Sequence, residues 1–129
     1  MKSIFFITGI PLDLVEIGIG YKHLGDVTVH SKNRIVVEGV WGWFAFNTEP
    51  DGESEFDTSE LAFVKRSFPK PFYFQLEYSS NKAAELAVSY FSLEIPFLID
   101  NDFGLILTVE QVKARIALGR SWLSKEILN

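Results

Sequence analysis

The stretch FLIDNDFGLILTVEQVKARI, residues 97–116, contains two short apolar runs, an acidic tripeptide between them and the beginning of a helical pattern. The tripeptide, residues 100–102, and Gly104 after it are typical of a tight turn, because Asx side chains bond their own backbone and glycine tolerates positive φ. Thr108 can cap a helix, and Gln111 three residues later completes a capping box. The stretch therefore predicts a β-hairpin that leads directly into a helix.

The chain before this hairpin mixes strands and helices. PFYFQLEY, residues 71–78, is typical of a buried strand, and NKAAELAVSYF, residues 81–91, predicts a helix opened by Ser80 or Asn81. Farther upstream, apolar residues recur at helical spacing behind three candidate caps, which favours a short helix over a strand. Those apolar residues are Leu61, Val64 and Phe68, and the caps are Asp57, Thr58 and Ser59.

The N-terminal third is typical of strands, because β-branched and aromatic residues alternate with polar ones. The segments with this pattern are SIFFIT (3–8), LVEIGIGYKHL (14–24), DVTVHS (26–31) and NRIVVEGVWGWFAFN (33–47). In the last of them, a two-residue period places Trp41 and Trp43 on one face, with a bulge or bend near Gly39.

Strands that come first and helices that join later predict an α+β fold. Hairpin connections rather than regular βαβ units favour a mainly antiparallel sheet with two to three helices packed on one side. The length of 129 residues is enough for one well-filled core and too short for two ordinary domains. We therefore expect a single domain spanning residues 1–129.

Composition narrows the classes of partner. A net charge of −5 argues against non-specific binding to nucleic acid or to an anionic membrane, since both need a cationic surface. The absence of cysteine excludes disulfides, thiolate nucleophiles and Cys-based metal sites, and it fits a reducing cytoplasm. The N-terminal apolar stretch is interrupted and lacks a cleavage site for a signal peptide. The expected protein is cytoplasmic, without a cofactor.

The acidic residues are concentrated in EPDGESEFDTSE, residues 49–60, which we call the acidic segment. It holds six acids and no base, and its Pro and Gly predict an exposed loop. Such a cluster attracts a cationic partner, although a solvated loop that only confers solubility has the same composition. The segment does not fit a calcium loop, because the sixth and twelfth positions counted from Asp51 are Phe56 and Ala62.

Catalytic constellations are weak. Asp100 and Asp102 are two residues apart and would point the same way on an extended chain, as a two-acid site needs, but the turn accounts for both. His23 and His30 flank a turn signal at Gly25, yet a zinc site needs a third ligand. No nucleophile elbow or complete dinucleotide-binding loop is present.

Two segments, PFYFQLEYSSNKAAELAVSYF and PFLIDNDFGLILTVEQVKARIALGRSWL, resemble the C-terminal half of small bacterial immunity proteins from contact-dependent growth inhibition and other polymorphic toxin systems. The shared pattern is a strand, a helix, an acidic turn ahead of a glycine (here residues 100–104), and a final helix (108–118) followed by Trp-Leu (122–123). The resemblance implies a binding protein, not an enzyme, that neutralises one toxin, often a nuclease, by covering its active site or an adjacent surface. It implies no catalytic residue.

An immunity protein of this kind is predicted to meet the basic surface of its toxin through the acidic segment, with nearby aromatic residues as anchors. The predicted partner-binding residues are Glu49, Asp51, Glu53, Glu55, Phe56, Asp57, Glu60, Trp41 and Trp43. Two alternatives remain open. One is a small metal-dependent or acid/base hydrolase that uses Asp100 and Asp102, and the other is a homo-oligomer that buries its aromatic face between identical chains.

Overall fold

A computed structural model describes residues 2–101 and 105–123 of the chain. These residues form an α+β fold with a seven-stranded sheet and four α-helices. In chain order the elements are β1 (Lys2–Thr8), α1 (Leu14–Gly20), β2 (Asp26–Ser31), β3 (Arg34–Gly39), β4 (Gly42–Thr48), a 3-10 helix (Gly52–Glu55), α2 (Thr58–Ser67), β5 (Phe72–Tyr78), α3 (Asn81–Ser89), β6 (Phe97–Asp100), β7 (Ile106–Thr108) and α4 (Val109–Ala117).

All neighbouring strands are antiparallel, and their order in the sheet is β2-β3-β4-β5-β1-β6-β7. The first strand lies inside the sheet, where Phe6 faces Phe74 of β5 on one side and Ile99 of β6 on the other. Because β1 joins the β2–β5 meander to the C-terminal hairpin, both halves of the chain share one sheet.

The main core lies on one face of the sheet. Alternate residues of the strands point to this face, and α1, α3 and α4 cover it. Aromatic rings fill its centre: Phe6 stacks on Phe97 with ring centroids 4.2 Å apart, and Phe44 meets Tyr21 edge to face at 4.8 Å. Such pairs add to the free energy gained from area burial alone.

The opposite face is only partly covered, and α2 is the helix that covers it. Val64 of α2 and Phe68, which directly follows the helix, pack with Ile7, Tyr73 and Leu98, the alternate residues of β1, β5 and β6. The prediction of an α+β fold with an antiparallel sheet is confirmed. The helices, however, number four among the described residues, and they occupy both faces because these strands are apolar on both sides.

The prediction of a strand over residues 14–24 is wrong, because Leu14–Gly20 form α1. The Asp13 carboxylate accepts a hydrogen bond from the backbone N–H of Val15 at 3.0 Å and so caps the helix. Leu14, Ile17 and Tyr21 are buried at helical spacing. The β-branched residues and glycines between them imitate the alternation of a strand.

The prediction that Trp41 and Trp43 share one face is also wrong. Val40 and Trp41 form the two-residue turn between β3 and β4, in which Gly39 pairs with Gly42. Gly42 has a φ of +116°, which breaks the two-residue period. Trp41 therefore stacks on Phe44 of the main core, with ring centroids 5.5 Å apart, whereas Trp43 belongs to the opposite face.

The strands and helices predicted after residue 57 are confirmed. Asp57 and Thr108 each cap their helix in a capping box, and Ser80 caps α3. The hairpin of β6 and β7 leads directly into α4, as the sequence predicts. Asn101, which follows β6, is buried, and its amide donates to the carbonyl of Trp122 at 3.2 Å. Residues 102–104 of the predicted turn lie outside the described residues.

Candidate interaction surface

The acidic segment connects β4 to α2 and crosses the start of β5. It begins at Glu49, whose N–H donates to the carbonyl of Tyr73 at 2.9 Å, and it continues as the 3-10 helix. Gly52 lies directly over Tyr73, and a Cβ at this position would come within 2.5 Å of the Tyr73 Cβ. A glycine is therefore required for the segment to lie this close to the sheet.

Phe56 is buried, although the sequence predicts it as an exposed anchor for a partner. Only 9% of it is exposed, and its ring packs on Phe5 and Tyr73 with centroid distances of 5.4 and 5.6 Å. This single apolar residue within an acidic run fixes the segment to the sheet. The prediction that Phe56 contacts a partner is therefore corrected: Phe56 belongs to the buried cluster between α2 and the sheet, which we call the second core.

The carboxylates of the segment have different surroundings. Glu53 forms an exposed ion pair with Lys65 at 2.8 Å, and Asp57 and Glu60 form the capping box of α2. Hydrogen bonds from the Glu60 N–H and the Ser59 hydroxyl lower the pKa of Asp57, and that charge is therefore retained to lower pH.

Two further carboxylates of the segment, those of Asp51 and Glu55, are exposed, and neither forms an ion pair with a described residue. Their charge is therefore not neutralised by a neighbouring base. The acidic segment therefore presents a net negative surface to solvent.

An apolar groove lies beside the acidic segment and has a volume of about 430 Å³. It is formed where the ends of β1 and β4 meet the start of β5. Its lining consists of Pro11, Leu12, Thr48, Glu49, Pro50, Pro71, Phe72, Tyr73 and Phe74. Since Glu49 and Pro50 belong to both features, the groove and the acidic segment form one continuous surface.

Sequence reasoning missed the groove. Its only local signal is that Pro11, Pro50 and Pro71 stand near the ends of predicted strands, where proline interrupts pairing. The pairing of β5 with both β1 and β4 brings these three positions together, and a single sequence does not specify that order. The groove also exposes Phe72, which is 37% accessible.

Tyr73 lies beneath the acidic segment and carries a buried hydroxyl with no hydrogen-bond partner among the described residues. Burial, with a smaller contribution from the nearby charge of Glu53, raises its pKa to about 12. The raised pKa means that this hydroxyl stays neutral throughout the physiological range. It adds no charge to the surface above it.

The structure does not bring the two predicted tryptophans to the acidic segment. Trp43 stands near the beginning of β4 and Glu49 follows its end, so about 20 Å of extended chain separates them. Trp41 packs against the main core, and its indole N–H donates to the carbonyl of Leu24 at 3.3 Å. The aromatic residues beside the acidic segment are instead Phe72 and Tyr73.

The residues considered for catalysis are dispersed. Asp100 is 8% exposed in β6, and Asp102 lies outside the described residues. His23 meets the ring of Tyr90 at 5.5 Å, and His30 is exposed in β2. Within residues 2–101 and 105–123, no group of three or more His, Cys, Asp or Glu side chains is arranged to hold a metal ion.

Comparison of the chain with protein-family models, with curated proteins and with solved structures finds no match. In the part of the chain that the structure describes, none of the helices has the length and apolar character needed to span a membrane.

Proposed function

We propose that this chain is an immunity protein that binds a cognate toxin domain, of nuclease type, and neutralises it. The observation that carries the proposal is the continuity of the acidic segment with the apolar groove, in which Glu49 and Pro50 belong to both. A basic cleft of the toxin that normally holds nucleic acid is complementary to the acidic segment. An apolar side chain of the toxin beside that cleft is complementary to the groove.

The two features supply different parts of binding. Long-range attraction between opposite charges raises the rate of association, and it weakens as salt is added. Burial of an apolar side chain in a preformed groove slows dissociation, which is where most affinity is gained. The groove volume of about 430 Å³ is in the size range of sites that accept a small ligand or a large side chain.

Co-expression tests the proposal. The protein is produced together with the C-terminal domain encoded by the reading frame immediately upstream, and growth rescue and co-purification are both scored. Rescue together with a stable complex is the expected result. A toxic upstream domain that is neither rescued nor bound would contradict the proposal, and so would an upstream domain without toxicity or binding.

A variant in which two acids are replaced by their neutral amides tests whether the acidic segment contacts the toxin. Asp51→Asn with Glu55→Gln removes two exposed carboxylates without touching the capping box or the Lys65 ion pair. It is expected to slow toxin association at low salt by about threefold or more and to flatten the salt dependence. The matched control, Glu38→Gln with Glu85→Gln, makes the same change in charge away from the groove. Equal association rates for the two variants would show that the acidic segment is not part of the interface.

A further inference from the structure

The edge strand β2 is the most exposed strand of the sheet. Five of its six residues are exposed, and no described strand pairs with its outer side. Its only irregularity lies between Val29 and Ser31, next to the turn into β3, and Asp26–Val29 pair regularly with β3. An open and regular edge leaves backbone N–H and C=O groups unpaired and is a template for another strand.

Helix α1 extends this edge with an apolar flank. A Cβ on Gly18 would contact Val27 of β2 at 3.0 Å, whereas one on Gly20 would meet Ser92 on the other side. The α-helical period therefore places Val15 and Ile19 on the flank that faces beyond β2. Both are exposed, at 37% and 56%.

Val29 of β2 is 47% exposed and points to the sheet face that α1 covers, because it pairs with the core residue Ile35. Val15, Ile19 and Val29 therefore form an apolar strip along the outer edge of the molecule. We call this strip, together with β2, the β2 edge. Apolar side chains gathered at an unpaired strand are typical of an interface rather than of a solvated surface.

We propose that the β2 edge pairs with the β2 edge of a second copy of this chain, joining two sheets across a two-fold axis perpendicular to them. The strand is self-complementary when Thr28 lies on that axis. Antiparallel pairing then sets Val27 opposite Val29 and Thr28 opposite its own copy, and it ends before the irregularity at His30. Pairs of β-branched residues and Thr–Thr pairs are each favourable across strands.

The same symmetry keeps the faces of both sheets aligned, since directly opposed residues point to the same side. The two α1 helices then lie on the same side of the joined sheet. Val15 and Ile19 of each copy face those of the other across the axis, and the exposed strip is buried. The interface uses one patch twice, as two-fold interfaces do.

Molar mass as a function of concentration tests the dimer. Sedimentation equilibrium of the full chain is expected to show a rise from 14.7 kDa toward twice that value. Ile19→Lys with Val29→Lys is expected to raise the dimer Kd by at least about tenfold, because four like charges would meet at the axis. Ile10→Lys with Leu118→Lys, at two other exposed apolar sites, is the control and leaves the Kd unchanged.

A wild-type protein that stays monomeric at all concentrations would overturn the proposal, as would a dimer that the first double variant does not weaken. A monomer that needs Ile19 and Val29 to bind the toxin would assign the edge to that partner instead and would also overturn it. Circular dichroism of each variant establishes that it is folded.

Cross-linking tests the register. The natural chain has no cysteine, so a single introduced thiol reports only its own position. Thr28→Cys is expected to form a disulfide between copies on mild oxidation, because directly opposed Cα atoms lie about 4.5–5.5 Å apart. The two copies of Asp26→Cys lie four residues apart along the paired strands, about 13 Å, and are expected not to cross-link. Cross-linking of Asp26→Cys in preference to Thr28→Cys would overturn this register.

Discussion

Glu77 is a buried acid on the sheet face that α2 leaves open. Glu77 is only 6% exposed. Its carboxylate accepts hydrogen bonds from the Arg34 guanidinium and from the Asn47 amide, each at 2.6 Å. These residues lie on adjacent strands, which brings their side chains to one face. A carboxylate in such a place is tolerated only while its partners compensate for lost hydration.

Loss of Arg34, the charged partner of Glu77, is therefore expected to destabilise the folded protein. Arg34→Met should lower the free energy of unfolding by about 2 kcal/mol, because it leaves the buried Glu77 carboxylate with one fewer charged donor. Lys65→Met breaks the pair with Glu53, whose side chains are both 46% exposed, and should cost less than about 1 kcal/mol. Urea unfolding followed by tryptophan fluorescence measures both. Equal losses would show that the Arg34 pair gains nothing from burial.

At the scale of the element, the caps explain why some helices are predictable from sequence. In both α2 and α4, the two residues of the capping box lie within four positions of each other in the sequence. Local chemistry therefore specifies where each helix begins. The start of α1 has a comparable signal in Asp13, but Gly18 and Gly20 within the helix weaken its helical pattern. At Gly20 a Cβ would come within 2.6 Å of the Ser92 Cβ, so a side chain there would displace Ser92, whereas a Cβ at Gly18 would make a tight contact of 3.0 Å with Val27.

The candidate surface was predictable only in its charged part. An acidic run is visible in any sequence, whereas the groove beside it arises from strand pairing between residues more than 20 positions apart. The burial of Phe56 and the separation of Trp41 from Trp43 also depend on long-range packing and on the turn at Gly42. The open β2 edge likewise follows only from the order of strands.

The cap of α2 gives stability a dependence on acidic pH. The pKa of Asp57 is lowered in the folded state, so the carboxylate stabilises the protein above its unfolded pKa of about 3.9, and this contribution is lost as pH falls through the folded pKa. Asp57→Asn keeps a hydrogen-bond acceptor but no charge. The variant should unfold at lower urea than the natural protein at neutral pH, and the difference should vanish on acidification. A difference that persists at a pH at which the Asp57 carboxyl of the natural protein is protonated would contradict this assignment.

At the scale of the whole molecule, one sheet supports two cores of unequal size. The main core includes most of the buried apolar residues and three helices, whereas the second core has six buried side chains under α2 and the 3-10 helix. Stability is not uniform in such a molecule, because an element held by a small cluster can open while the rest remains folded. The acidic segment and part of the groove belong to the less strongly held part.

Hydrogen exchange is expected to reveal this difference. The amides of α2 should exchange through a local opening of lower free energy than the amides of β1 and β5, which require global unfolding. Val64→Ala should therefore accelerate exchange in α2 more than in the central strands, whereas Leu76→Ala, which is in the main core, should lower protection throughout by about 2–4 kcal/mol. Binding of a partner to the acidic segment would then raise the protection of α2, since a ligand stabilises the state to which it binds. Exchange of α2 at the same free energy as β1, with equal effects of the two variants, would mean that both cores unfold as one unit.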